Sequence, residues 1–186
     1  MTRTIKIGLL FSILVCVVGF IAFSSSTPYA NQDIRSYLSH LPLSWLEQTR
    51  LANYSFFYGN QQIGLAYMSV ESFLEFFLRK AAHFFAFLLI GALVCRLIAY
   101  KIKLRMAMIV AAGFVFIYAV VDEYRQSLTP GRTPLVEDIV LDSLGGLTGI
   151  VLIAFWILHR RFIQVKRVEA QTAETRMQRN QKKKQA

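Results

Sequence analysis

The stretch Ile139–Leu158, IVLDSLGGLTGIVLIAFWIL, decides the solvent of this chain, because its only ionisable residue is Asp142. A helix needs ~20 mostly apolar residues to cross a hydrocarbon core of ~30 Å. In such a core every backbone N–H and C=O must be satisfied within the segment or within a closed barrel. Nothing in the stretch alternates as a barrel strand does, so it reads as a membrane-spanning helix. Working outward, Leu104–Val121, Ala81–Tyr100 and Ile5–Phe23 have the same character. The expected fold is an all-α membrane protein of four transmembrane helices, over residues 1–158. An outer loop and hairpin region, 24–80, separates the first two spans, and a disordered basic tail follows at 159–186.

Composition agrees. Charged residues make up 17% of the chain, against about a quarter in soluble domains. The first span is longer than the 7–15 residues usual for a signal-peptide core, so it reads as an uncleaved anchor. Cys16 and Cys95 each lie inside an apolar run and read as packing residues.

Lys and Arg set the orientation. With the N-terminus inside, the inner pieces hold Arg3 and Lys6, then Arg96, Lys101, Lys103 and Arg105, then the basic tail from Arg160 to Lys184. Only Arg35, Arg50, Arg79, Lys80, Arg125 and Arg132 fall outside. Both termini are therefore expected in the cytoplasm, with the chain in the plasma membrane. The net charge of +10 does not point to nucleic acid, because the tail has no aromatic interleaving and no recognised module.

In the outer segment, Tyr54–Tyr58, then Gly59-Asn60, then Gln61–Ile63 reads as a short hairpin. From Tyr67 the pattern turns helical and runs into the second span. Glu71, Glu75 and Arg79 are spaced by four, as on an exposed helix face.

Polar residues gather at the outer boundary. Lys80 and His83 share a face at the start of the second span. Ala112, Phe116, Ala119 and Glu123 form a stripe that points Glu123 into the bundle, with Asp122 on its flank and four residues before Gln126. Thr129–Pro134 is a turn through Pro130-Gly131, with Thr133 as N-cap and Pro134 as first helical residue of the fourth span. Asp138, Asp142, Gly145 and Gly149 form one narrow stripe, its glycines offering a close-contact face. A carboxylate as deep as Asp142 should face protein rather than lipid.

Two readings follow. In the first, Arg79, Lys80 and Arg132 pair with Glu123, Asp138 and Asp142 and merely interlock three helices. In the second, which ionisable groups inside membranes favour, the cluster is a pocket. Carboxylates beside a histidine suit acid–base work or a divalent cation, with His83, Asp122 and Glu123 as catalytic candidates. There is no HExxH, CxxC, GxSxG or phosphate-cradling loop, so no cofactor and no metal is assigned.

Arg79–Phe84 (RKAAHF), Asp122–Gln126 (DEYRQ), Pro130-Gly131-Arg132, and Asp138 with Asp142 through Gly145-Gly146 resemble, in order, the motifs of the VanZ-like family. That family is named for a teicoplanin-resistance accessory protein of Gram-positive bacteria. The resemblance implies an envelope membrane protein linked to glycopeptide susceptibility, without a settled activity. By motif position it implies a site of Lys80, His83, Asp122, Glu123, Gln126, Arg132, Asp138 and Asp142. The expected partner is membrane lipid or a lipid-linked envelope precursor. An acid–base enzyme acting on lipid head groups, and a structural or partner-binding protein without chemistry, are the alternatives.

Overall fold

The computed structural model describes residues 2–185, with side chains described through residue 172. Helix α1 (Arg3–Ser25) is followed by a helical turn at Tyr29–Gln32, α2 (Arg35–Leu38) and turns at Ser44–Gln48 and Arg50–Asn53. Strands β1 (Phe56–Tyr58) and β2 (Gln61–Ile63) come next, then α3 (Val70–Ile98), α4 (Leu104–Ser127) and α5 (Val136–Gln185). Four of these helices, α1, α3, α4 and α5 over Val136–Thr172, are long and apolar enough to cross a membrane. Phe20, Phe23, Ile109, Phe116, Ile117 and Phe155 are each more than half exposed around the bundle. A belt of that kind is costly in water and at home among acyl chains. The chain is a multi-pass, all-α membrane protein.

The expected hairpin is present, with Phe56 opposite Ile63 and Tyr58 opposite Gln61. Gly59 takes a φ of +58°, the left-handed value a two-residue turn requires and only glycine adopts freely. The Ser69 side chain caps α3 through the Ser72 N–H, and α3 runs without a break from the outer segment into its span.

Helices α3 and α5 meet most closely. A Cβ on Gly145 would strike the Phe84 carbonyl, and one on Gly149 the Leu88 carbonyl; Gly91 faces the Gly146 backbone in the same way. The expected glycine face is therefore where two backbones touch. Around it pack Phe87, Ile90, Val94, Ala107, Ala111, Val115, Ala119, Ile150 and Ala154. Helix α1 joins along Leu14, Val17, Val18 and Ile21.

Three expectations are corrected. The buried stripe of α4 is Ala107, Ala111, Val115 and Ala119, while Phe116 is 55% exposed. Ala119 lies three residues before Asp122 and four before Glu123, so this rotation turns both carboxylates inward. Helix α5 starts at Val136 rather than Pro134, because the Leu135 N–H is taken by the Glu123 carboxylate from α4. The basic tail continues α5 as helix to Gln185, since Gln, Lys, Arg, Glu and Ala are all good helix formers.

The C-terminal ends of α1 and α4 and the N-terminal parts of α3 and α5 meet at one end of the bundle. There Ser25 reaches Asp122 and His83 reaches Asp142. At the other end Arg3 donates to the Tyr100 carbonyl.

Candidate functional site

Polar residues at the shared end are stacked in three layers. Outermost, Glu75 accepts from Arg79 at 2.7 Å and from the Tyr29 hydroxyl at 2.8 Å. The Arg79 guanidinium sits over the Tyr29 ring, 4.4 Å from its centroid. Glu75 is 4% exposed, so the expected exposed helix pair is instead a buried one, covered by the segment after α1. Beside it Arg35 donates to Asp33 and holds that carboxyl down to about 2.

In the middle layer Lys80 donates to both oxygens of Asp138, at 2.7 Å to Oδ2, and the Tyr58 hydroxyl donates to Oδ1. Lys80 also lies 4.8 Å from the Tyr58 ring centroid. Burial, then the carboxylate beside it, raises the Tyr58 hydroxyl well above its ordinary value. Gly59 at the hairpin tip donates its N–H to Glu137 at 3.2 Å. The hairpin is thus tied to the start of α5 by the last residue of β1 and the first residue of its turn.

Arg132 completes this layer from the α4–α5 loop. It donates to Gln126 Oε1 at 3.1 Å, to the Ser24 carbonyl at 3.0 Å and to Gln32 Oε1 at 2.8 Å. All three acceptors are neutral; the carbonyl belongs to the end of α1, where a helix dipole favours a cation. Among the described residues Arg132 forms no ion pair, and its Nε is buried without a hydrogen-bond partner. Burial lowers this guanidinium from its ordinary value. Thr129 anchors the same loop by donating to the Ser25 carbonyl at 2.9 Å.

Deepest lie Asp122, Asp142 and His83. Ser25 Oγ donates to Asp122 at 2.7–2.8 Å, and Gln126 Nε2 donates to the same carboxylate at 3.1 Å. His83 Nδ1 stands 3.5 Å from Asp142 Oδ2.

A cavity of about 710 Å³ opens between the hairpin, α3 and the α4–α5 loop. Arg35, Arg79, Lys80 and Arg132 are on its wall, against two carboxylates, Glu75 and Asp138. A smaller cavity of about 230 Å³ lies between α1 and α3, with His83 on its wall.

Of the eight residues expected at the site, Lys80, Gln126, Arg132 and Asp138 line the larger cavity. His83, Asp122 and Asp142 form a second group beneath it, which Gln126 joins to Arg132. Glu123 is not among the residues that line either cavity; its carboxylate accepts from the Leu135 N–H at the start of α5. The expected pairings hold only for Lys80 with Asp138. Arg79 takes Glu75, Asp142 faces His83, and Arg132 takes no carboxylate. Tyr29, Gln32, Tyr58, Glu75 and Ser25 escape the sequence reading. Glu75 alone had a legible signal, its spacing of four from Arg79.

The family model described as VanZ/LLP1 matches residues 10–158 of this chain. No curated protein and no solved structure matches it.

Proposed function

The chain belongs to the VanZ/LLP1 family, and from that premise we propose that it is an envelope protein of the plasma membrane whose outward pocket takes up an anionic or lipid-linked envelope component. Through that pocket it alters susceptibility to teicoplanin-type glycopeptides. The orientation follows the Lys/Arg asymmetry, which puts both termini in the cytoplasm and the pocket at the outer leaflet. That is the leaflet where lipid-linked wall precursors and such drugs meet.

Arg132 carries this reading. A guanidinium taken half out of water on neutral acceptors, with its Nε unpartnered, is a charge awaiting an anion. Its planar fork matches phosphate or carboxylate with two parallel hydrogen bonds. Lys80, held against Asp138 on the same wall, adds a second cation at the rim. Tyr58 and Phe76 give that cation aromatic flanks suited to the non-ionic part of a lipid head group.

The test is expression in a teicoplanin-susceptible Gram-positive host. The wild-type chain shifts sensitivity to teicoplanin-type drugs more than to unrelated ones. Arg132→Ala abolishes the shift, while Arg167→Ala in the exposed continuation of α5 retains it. Arg132→Lys is the finer variant, because a point charge replaces a bidentate contact poorly. Full activity in Arg132→Ala at equal membrane abundance removes the pocket from the explanation.

A further inference from the structure

The deepest polar layer carries more than the anion pocket needs. We infer that His83, Asp122 and Asp142 form a binding site for a divalent cation of the Mn²⁺–Zn²⁺ type, held between α3, α4 and α5.

One ligand atom from each residue lies within 4.8 Å of the others. Ligands ~2.1 Å from a tetrahedral zinc stand ~3.4 Å apart. His83 Nδ1 and Asp142 Oδ2 are 3.5 Å apart, which is long for a hydrogen bond and close to the edge of such a polyhedron. The separations, at most 4.8 Å, exceed that edge by no more than about 1.4 Å, which is the contraction an ion would impose.

Asp142 supplies an independent sign. It is 2% exposed, and its Oδ1 is buried with no hydrogen-bond partner. Buried carboxylate oxygens are costly unless hydrogen-bonded, paired or coordinated. Asp122, 0% exposed, receives only neutral donors among the described residues, Ser25 Oγ and Gln126 Nε2. Among the described residues no Lys or Arg forms an ion pair with either aspartate. Two buried carboxylates and one imidazole are thus close together with no Lys or Arg in direct contact with either carboxylate among the described residues. Ser25 and Gln126 are arranged as outer hydrogen-bond donors that fix a ligating carboxylate's orientation.

The donor set selects the ion. Two carboxylates and one imidazole suit Mn²⁺ or Zn²⁺ better than Ca²⁺ or Mg²⁺, which favour all-oxygen shells. Three protein ligands leave positions open for water or an exogenous ligand. His83 lines the smaller cavity between α1 and α3, which gives the ion a way in. No sequence motif announces the site, because its three ligands come from three helices rather than from one local spacing.

The test uses the full chain, purified in detergent with any affinity tag removed. Metal content is measured by inductively coupled plasma mass spectrometry, before and after chelation and reloading with Mn²⁺ or Zn²⁺. The expected result is about one ion per chain after reloading, with a rise in unfolding temperature that chelator reverses. Asp142→Asn and His83→Ala should each weaken binding at least tenfold. Ser25→Ala, which removes only an outer hydrogen bond and leaves the helices intact, should weaken it about tenfold. Arg167→Ala, on the exposed continuation of α5, should bind metal as the wild type does, while Arg132→Ala, which removes no ligand, should keep a stoichiometry of about one ion with a changed affinity, which separates this site from the anion pocket. A helical, monodisperse wild-type protein that takes up neither ion, or uptake unchanged in Asp142→Asn, overturns the inference. Should Asp142→Asn not fold, wild-type reloading and Ser25→Ala decide the matter.

Discussion

The pair between Lys80 and Asp138 joins α3 to α5 at the pocket, and its worth is calculable. The side chains are 18% and 13% exposed, so the pair is largely but not wholly removed from water. Breaking a fully buried pair by removing one partner costs ~3–5 kcal/mol, mostly by stranding the other charge. Here water reaches both ends, and Asp138 keeps the Tyr58 hydroxyl when Lys80 is lost. Lys80→Met should therefore cost about 2 kcal/mol, and Asp138→Asn about the same. The double variant strands no charge, so its cost should fall short of the sum by about 2 kcal/mol, within the usual range for contacting residues. Denaturant unfolding of the purified protein in detergent, followed by helicity, measures all four species. Lys80 with Asp142, another of the pairings the sequence left open, should couple by less than ~0.5 kcal/mol. A Lys80–Asp138 coupling below that value, or a larger one for Lys80–Asp142, refutes the assigned pairing.

Other expected outcomes bear on different parts of the structure. Gly149→Leu drives a side chain into the Leu88 carbonyl on α3 and should lower stability by at least ~3 kcal/mol, seen as loss of folded protein in the membrane fraction. Glu123→Ala leaves the Leu135 N–H without its acceptor and should cost ~1–3 kcal/mol in the same unfolding assay. In a background with Cys16 and Cys95 replaced by alanine, a cysteine at exposed Asn60 should react with an impermeant thiol reagent on intact cells. One at exposed Gln164 should react only after lysis, and labelling of Gln164 on intact cells reverses the orientation.

The four spans were legible because hydropathy and length alone settle them in a chain this apolar. Gly145 and Gly149 were legible as a contact face because small residues four apart have few other uses in a membrane helix. The direction of Asp122 was not. Residues 106–121 of α4 are apolar on every face, so periodicity does not fix its phase, and the burial of Val115 rather than Phe116 rotates the end of the helix. The start of α5 was not legible, because local capping rules favour Thr133, whereas a carboxylate twelve residues earlier in the chain, Glu123, holds the Leu135 N–H. Pairing was the least legible feature. Arg79 and Arg132 find partners in Glu75, Gln126, Gln32 and the Ser24 carbonyl; Ser24 is at the very end of α1 and Gln32 in the turn after it, where the sequence shows no periodicity. Only the folded chain brings those residues to the pocket.

What occupies the pocket beside Arg132 can be read directly by native mass spectrometry of the protein released from its own membrane in mild detergent. A phosphate- or carboxylate-bearing lipid should remain bound to the wild type, remain in Arg167→Ala, and be absent from Arg132→Ala. Equal retention in Arg132→Ala, or no anionic lipid on a folded wild-type protein, contradicts the assignment of this pocket to an anionic envelope component.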